Sequence, residues 1–236
     1  MRPEVTLTRQ RLTTPRAAAV AGILFSILLI ISLVLIRISI PDDSFELGTW
    51  PSESWRSINL GLNLVPFAGI AFLWFIGVVR DRLGEYEDRF FATVFLGSGL
   101  LFLAMLFSSA AVAGGTLAIL GRASSTQMID SGIYTFGRSV TYEIMNVYGI
   151  KMSGVFMITT CTLAIRTGIF PRWMAYLGYA LALLLLLSIG LLPWVSLLFP
   201  LWVLLISIHI LLANLHKPLE AVKPMSEPTF IGGKDR

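Results

Sequence analysis

Charge is scarce in this sequence. Only 14% of its 236 residues are Asp, Glu, Lys or Arg, against about a quarter in water-soluble domains, so a water-facing surface over most of the chain is excluded. Histidine occurs twice and cysteine once. The lone thiol, Cys161, forms no internal disulfide and reads as a buried structural residue, and no metal-ligand spacing arises. His209, near the inner end of the last run, reads as an interfacial polar group rather than as a proton relay or metal ligand. Paired catalytic carboxylates, a nucleophile with its base, and glycine-rich phosphate loops are also missing as motifs. The sequence therefore names no catalytic residue, metal or cofactor. The net charge of +4 is not gathered into a patch interleaved with aromatics, which argues against a nucleic-acid partner.

What is present is apolar length. Hydrophobic residues make up 56% of the chain, and the mean hydropathy is +0.78. Six runs, at residues 17–40, 57–79, 90–113, 139–165, 173–193 and 194–214, each reach the roughly 20 residues that carry a helix across about 30 Å of hydrocarbon. A lipid-exposed backbone must satisfy its own hydrogen bonds, and these runs lack the two-residue alternation of a barrel strand. The expected fold is all-α, a polytopic bundle of six transmembrane helices whose main partner is the lipid bilayer. Pro193 divides the last two runs, because it lacks an amide donor and favours a hairpin there.

The basic residues orient this threading. With both termini cytoplasmic, Arg2, Arg9, Arg11, Arg16, Arg80, Arg82, Arg89, Arg166, Arg172, Lys217, Lys223, Lys234 and Arg236 fall inside, and only Arg37, Arg56, Arg122 and Arg138 fall outside. That asymmetry follows the positive-inside rule, and five or seven spans would destroy it. Residues 1–16 form a basic segment that resembles a presequence, but the apolar run behind it is too long for a cleaved signal core, so we expect it to be retained. Residues 215–236, with Pro218, Pro224, Pro228 and Gly232-Gly233, cannot bury a core and are expected to be disordered. The acidic external loop from Pro41 to Arg56 carries Trp50 and Trp55, which suit the headgroup zone. The external segment 121–138 is polar, with a short helical turn expected at Ser124 or Ser125. The inside loop from Arg80 to Arg89 reads as a solvated connector.

The fourth run is the unusual one. Lys151 lies near its midpoint, about 20 Å from the flanking arginines and beyond comfortable snorkelling reach. A central lysine costs about 2.5 to 3.5 kcal/mol on insertion scales, so its amine should face protein, a partner or water. Glu143 precedes it by eight residues, which an ideal helix places about 12 Å away along the axis and about 80° around it. Asn146 lies on the Glu143 side. Asn59 and Asn63 of the second run and Ser108 of the third come to the same outer-half depth, and Pro66 frees a carbonyl nearby. Matched depth suggests that Lys151, Glu143, Asn146, Asn59, Asn63 and Ser108 line one polar, outward-opening pocket with the lysine at its floor; the plainer reading is helix-packing glue. Small residues along the third run, including Gly97, Gly99, Ala104, Gly114 and Gly115, offer close packing within the subunit, to a second copy, or to a partner membrane subunit.

The stretch Tyr148-Gly-Ile, an apolar span, and then Leu163-Ala-Ile-Arg-Thr-Gly-Ile-Phe-Pro-Arg-Trp-Met-Ala-Tyr-Leu-Gly178 resembles a family of uncharacterised bacterial multi-pass membrane proteins of unknown function. The likeness covers about residues 148–190. It implies a bacterial inner-membrane (plasma-membrane) location and about six helices, and it transfers no functional residue. Physically, Gly168 can end the fourth helix and Pro171 can begin the fifth. Three functional expectations follow: a non-enzymatic protein that binds or conducts a small solute or ion, an assembly subunit whose Lys151 meets an acid on another chain, or an intramembrane enzyme using Glu143 or Lys151.

Overall fold

The computed structural model describes residues 14–39, 52–83, 89–120, 132–168, 171–188 and 194–215. Residues 1–13 of the expected cytoplasmic head, most of the acidic loop, the turn at Ser124 or Ser125, the hairpin at Pro193 and the tail beyond Leu215 lie outside the described residues. All the described elements are helical: α1 (Thr14–Ser39), α2 (Ser52–Leu83), α3 (Arg89–Leu120), α4 (Ile133–Glu143), a π-turn (Ile144–Gly149), α5 (Ile150–Thr167), α6 (Arg172–Leu187), a 3-10 turn (Val195–Leu197) and α7 (Leu198–Leu215). α4, the π-turn and α5 form one continuous span from Ile133 to Thr167.

Five of the described helices are long and apolar enough to cross a membrane, and α6 is a shorter apolar helix of 16 residues. Several helices outrun the apolar segments read from sequence, α3 reaching Leu120 and α4 starting at Ile133. Helix ends and hydrocarbon boundaries are different quantities, because a polar turn beyond the apolar zone still satisfies its own backbone. α5 ends at Gly168, whose φ of 68° and ψ of 22° are the left-handed conformation that glycine adopts without strain, and its amide donates to the Ala164 carbonyl at 2.8 Å. Pro171, extended at φ −61° and ψ 145°, then precedes α6.

Phenylalanines hold the bundle together. Phe25 of α1, Phe72 of α2, Phe102 of α3, Phe156 of α5 and Phe199 of α7 are each at most 2% exposed. Phe72 is the hub, with ring centroids 4.5 Å from Phe25, 5.5 Å from Phe102, 5.3 Å from Phe156 and 5.7 Å from Phe199. One aromatic cluster thus ties five helices at mid-depth. Without a hydrophobic drive between helices in lipid, such interlocking dispersion contacts carry much of the packing energy.

Around that centre, α1 packs on α2 and α7, α3 packs on α2 and the α4–α5 span, and α5 packs on α6. Gly99 permits one of these approaches, since a Cβ there would stand 2.6 Å from Ile76 Cδ1 and 3.1 Å from the Phe156 ring. Ser32 Oγ of α1 donates to the Gly61 carbonyl of α2 at 2.8 Å, and the Thr162 and Tyr179 hydroxyls join α5 to α6 at 2.7 Å. Outward faces carry exposed apolar side chains such as Leu24, Ile27 and Ile31 of α1, Phe67 and Trp74 of α2, and Leu183 and Leu187 of α6. An apolar exterior around a satisfied helical backbone is the surface a hydrocarbon solvent requires.

Candidate functional site

The C-terminal ends of α1 and α3 and the N-terminal ends of α2, α4 and the 3-10 turn before α7 enclose a cavity of about 410 Å³. Its depth can be read from the helix register. Val65, Leu106, Met145 and Leu197 lie at the end nearest the phenylalanine cluster; Arg37, Leu117, Tyr134 and Trp194 lie toward the helix ends. The twelve residues from Leu106 to Leu117 span about 16 Å of α3. Ile58, Leu62, Leu33 and Ile36 form the apolar side wall.

Two close approaches shape this wall. A Cβ at Gly137 of α4 would overlap the Thr116 hydroxyl of α3, and Thr116 Oγ1 itself donates to the Val112 carbonyl at 2.8 Å. Ser109 Oγ of α3 crosses to the Thr141 carbonyl of α4 at 3.1 Å. The Thr141 hydroxyl is a buried polar atom with no hydrogen-bond partner among the described residues, and Thr141 lines the cavity. A buried hydroxyl left in that state costs on the order of 1 to 3 kcal/mol, a penalty that a polar occupant would relieve.

Directly below, the fourth span widens. The Ile150 amide donates to the Met145 carbonyl, five residues back rather than four, the hallmark of a π-turn, and such turns recur at functional sites. Asn146 Nδ2 bonds the Tyr142 carbonyl at 3.2 Å, on the loosened stretch. This wide turn changes one expectation. An extra residue in the turn makes the eight-residue offset from Glu143 to Lys151 equivalent to about seven, so the two lie about 20° apart around the helix rather than about 80°. About 10 Å of axial separation remains, too far for direct pairing.

Of the six residues grouped from sequence, the structure brings only Asn146 to the cavity wall. Asn59 and Asn63 are exposed on α2, Ser108 is exposed on α3, and Glu143 is exposed at the end of α4. Their depth matches the cavity, but their azimuth does not. The neighbours Ile58, Leu62 and Ser109 face it instead, because one residue along a helix is 100° around it. Lys151 is half-buried on α5, outside the cavity lining, and makes no hydrogen bond or ion pair among the described residues. His209 is half-buried on α7.

Sequence reasoning placed Arg37 and Arg138 as orienting flanks only, and both line the cavity. The signal that could have found Arg138 is the Tyr134-Thr-Phe-Gly-Arg138 stretch, which puts Tyr134, Gly137, Arg138 and Thr141 on one helical face once the helix is started at Ile133. Compared with family models, curated proteins and solved structures, the chain matches none.

Proposed function

We propose that this chain is a non-enzymatic, multi-pass protein of the bacterial plasma membrane, with both termini cytoplasmic, that binds a small solute in the outer half of its bundle. The observation that carries the reading is the 410 Å³ cavity itself, which lies within the volume range of small-molecule sites and combines apolar walls with a few polar groups. Its end of the bundle is the one that the distribution of arginine and lysine assigns to the exterior. Filling the cavity tests the reading. Ala113, in the wall, is replaced by Phe, and the purified variant in lipid nanodiscs is screened beside the parent chain for solute-dependent thermal shifts. A ligand that stabilises the parent and not Ala113→Phe supports the site. Ligands that shift both equally place binding elsewhere and defeat the reading.

A second reading rests on a different observation. Lys151 sits mid-span, half-buried and without an ion pair among the described residues, which fits an assembly subunit whose amine meets an acidic side chain of another membrane protein. Native mass spectrometry from mild detergent separates the two: an assembly subunit leaves the membrane in a defined complex that Lys151→Met dissociates.

A further inference from the structure

We propose that the occupant of the cavity is a compact, uncharged alcohol, one hydroxyl on an apolar body, whose hydroxyl is read by Thr141 and Ser109 at the seam between α3 and α4. This rests on the reading of the cavity as a binding site and adds the class of ligand. The first ground is an uncommitted hydroxyl. Thr116, Thr159, Thr160, Thr162 and Thr167 each donate to the carbonyl four residues back, at 2.7 to 2.9 Å, the bond that satisfies a threonine inside a helix. Thr141 does not make it. Its Oγ1 is buried and has no hydrogen-bond partner among the described residues, although the residue lines the cavity. A helical threonine divides between two χ1 rotamers, so its hydroxyl can turn to an incoming group at little cost, and that group relieves the penalty of an unmade bond.

The second ground is the neighbouring hydroxyl. Ser109, 6% exposed, gives its single proton to the Thr141 carbonyl at 3.1 Å, so it offers a ligand only lone pairs. A hydroxyl free to donate and one that only accepts thus stand at the same depth. An alcohol satisfies both at once: its oxygen accepts from Thr141 and its proton goes to Ser109. An ether lacks the proton, a carboxylate only accepts, and an ammonium only donates. No described lining residue is an Asp or Glu, so a buried cation meets no countercharge. The third ground is depth. Thr141 lies about 4.5 Å below Arg138 and about 6 Å above Met145 along the fourth span. Past it the wall is Val65, Leu106, Met145 and Leu197, all apolar, and the first three belong to the same buried core as the phenylalanine cluster. A ring fits that short floor, and a long chain has nowhere to extend.

The test uses the full chain in phosphatidylcholine nanodiscs and tritiated cyclohexylmethanol as the probe, with Ala113→Phe as the background that separates cavity binding from lipid partitioning. Saturable binding above that background is expected. At equal membrane concentration the methyl ether, cyclohexanecarboxylate and cyclohexylmethylammonium should displace the probe about fivefold less well, as loss of one hydrogen bond dictates. Ser109→Ala should weaken the alcohol about fivefold and leave the ether unchanged, whereas Thr141→Val, equal in shape, should weaken both. Without ligand, Thr141→Val should melt no lower than the parent, because it deletes a hydroxyl that makes no bond. A lower melting temperature for that variant, parent affinity for the alcohol in Thr141→Val, or displacement by the ether or the carboxylate as good as by the alcohol overturns the hydroxyl recognition and leaves the cavity site standing. Dodecanol displacing the probe better than cyclohexylmethanol does overturns the compact body. Probe binding identical in parent and Ala113→Phe, both folded by circular dichroism, defeats the cavity site and this proposal together.

Discussion

Replacing Lys151 by methionine should make the isolated chain more stable. Lys151 lies eighteen residues from Ile133 and sixteen from Thr167 in one continuous helical span, about 27 Å and 24 Å from its two ends. The helix outruns a hydrocarbon core about 30 Å thick, so the relevant distance from mid-span is the half-thickness of about 15 Å, which is still beyond the comfortable snorkelling reach of a lysine stem. The side chain is half-buried and has no ion pair or hydrogen bond among the described residues. The chain thus carries the cost of a central cation without the compensation that would offset it, at most about 2.5 to 3.5 kcal/mol by insertion scales. Methionine keeps the unbranched shape and removes the charge. Reversible unfolding in bicelles, read by tryptophan fluorescence, should therefore show Lys151→Met more stable than the parent, and Lys151→Gln with a smaller gain. A loss of stability in the monomeric variant would mean that the ammonium is compensated within the chain, and the reasoning fails. If the gain appears in the purified monomer but reverses in native membrane, the compensation comes from a second protein and the assembly reading gains the weight.

Phe72→Ala, which removes the ring contacting partners on α1, α3, α5 and α7, should cost about 3 to 5 kcal/mol, measured by the same unfolding assay; a loss under 1 kcal/mol would show that the cluster does not bind the helices together. At Gly178 of α6, an added Cβ would collide with Cys161 Sγ and stand 2.7 Å from Trp202 Nε1. Gly178→Ala should therefore destabilise by about 1 to 3 kcal/mol, and Cys161→Ala in the same chain should restore part of the loss; a neutral Gly178→Ala refutes that packing. Ser109→Ala deletes the hydroxyl that crosses from α3 to the Thr141 carbonyl, and a loss of about 0.6 to 1.7 kcal/mol is expected. Equal stability of parent and variant would show that this bond does not fasten α4.

The cavity illustrates why only part of a candidate site between apolar helices is legible in a sequence. Depth follows from counting residues at 1.5 Å each from a charged flank, and counting puts Asn59, Asn63, Ser108 and Asn146 at the level where a cavity does form. Facing direction depends on which side of each helix the neighbours cover. In α2 the apolar Ile58, Leu62 and Val65 turn inward while Asn59 and Asn63 are exposed. A hydropathy pattern cannot anticipate that choice, because in lipid both faces of a span are apolar and the amphipathic stripe that orients a helix in water is weak. Likewise, Arg138 reads as the end of a loop until the helix is seen to start at Ile133.

Composition, run length and the lack of a two-residue alternation pointed to helices apolar enough for a bilayer, because hydrocarbon leaves a backbone only the helix or the closed barrel in which to satisfy its amides and carbonyls. The tertiary structure decided the rest. It gathered phenylalanines from five helices into one cluster, widened the fourth span between Glu143 and Ile150, and turned two flanking arginines onto a shared cavity. Each of those depends on the rotation of one helix against another, which is set by side-chain interlocking across contacts far apart in sequence.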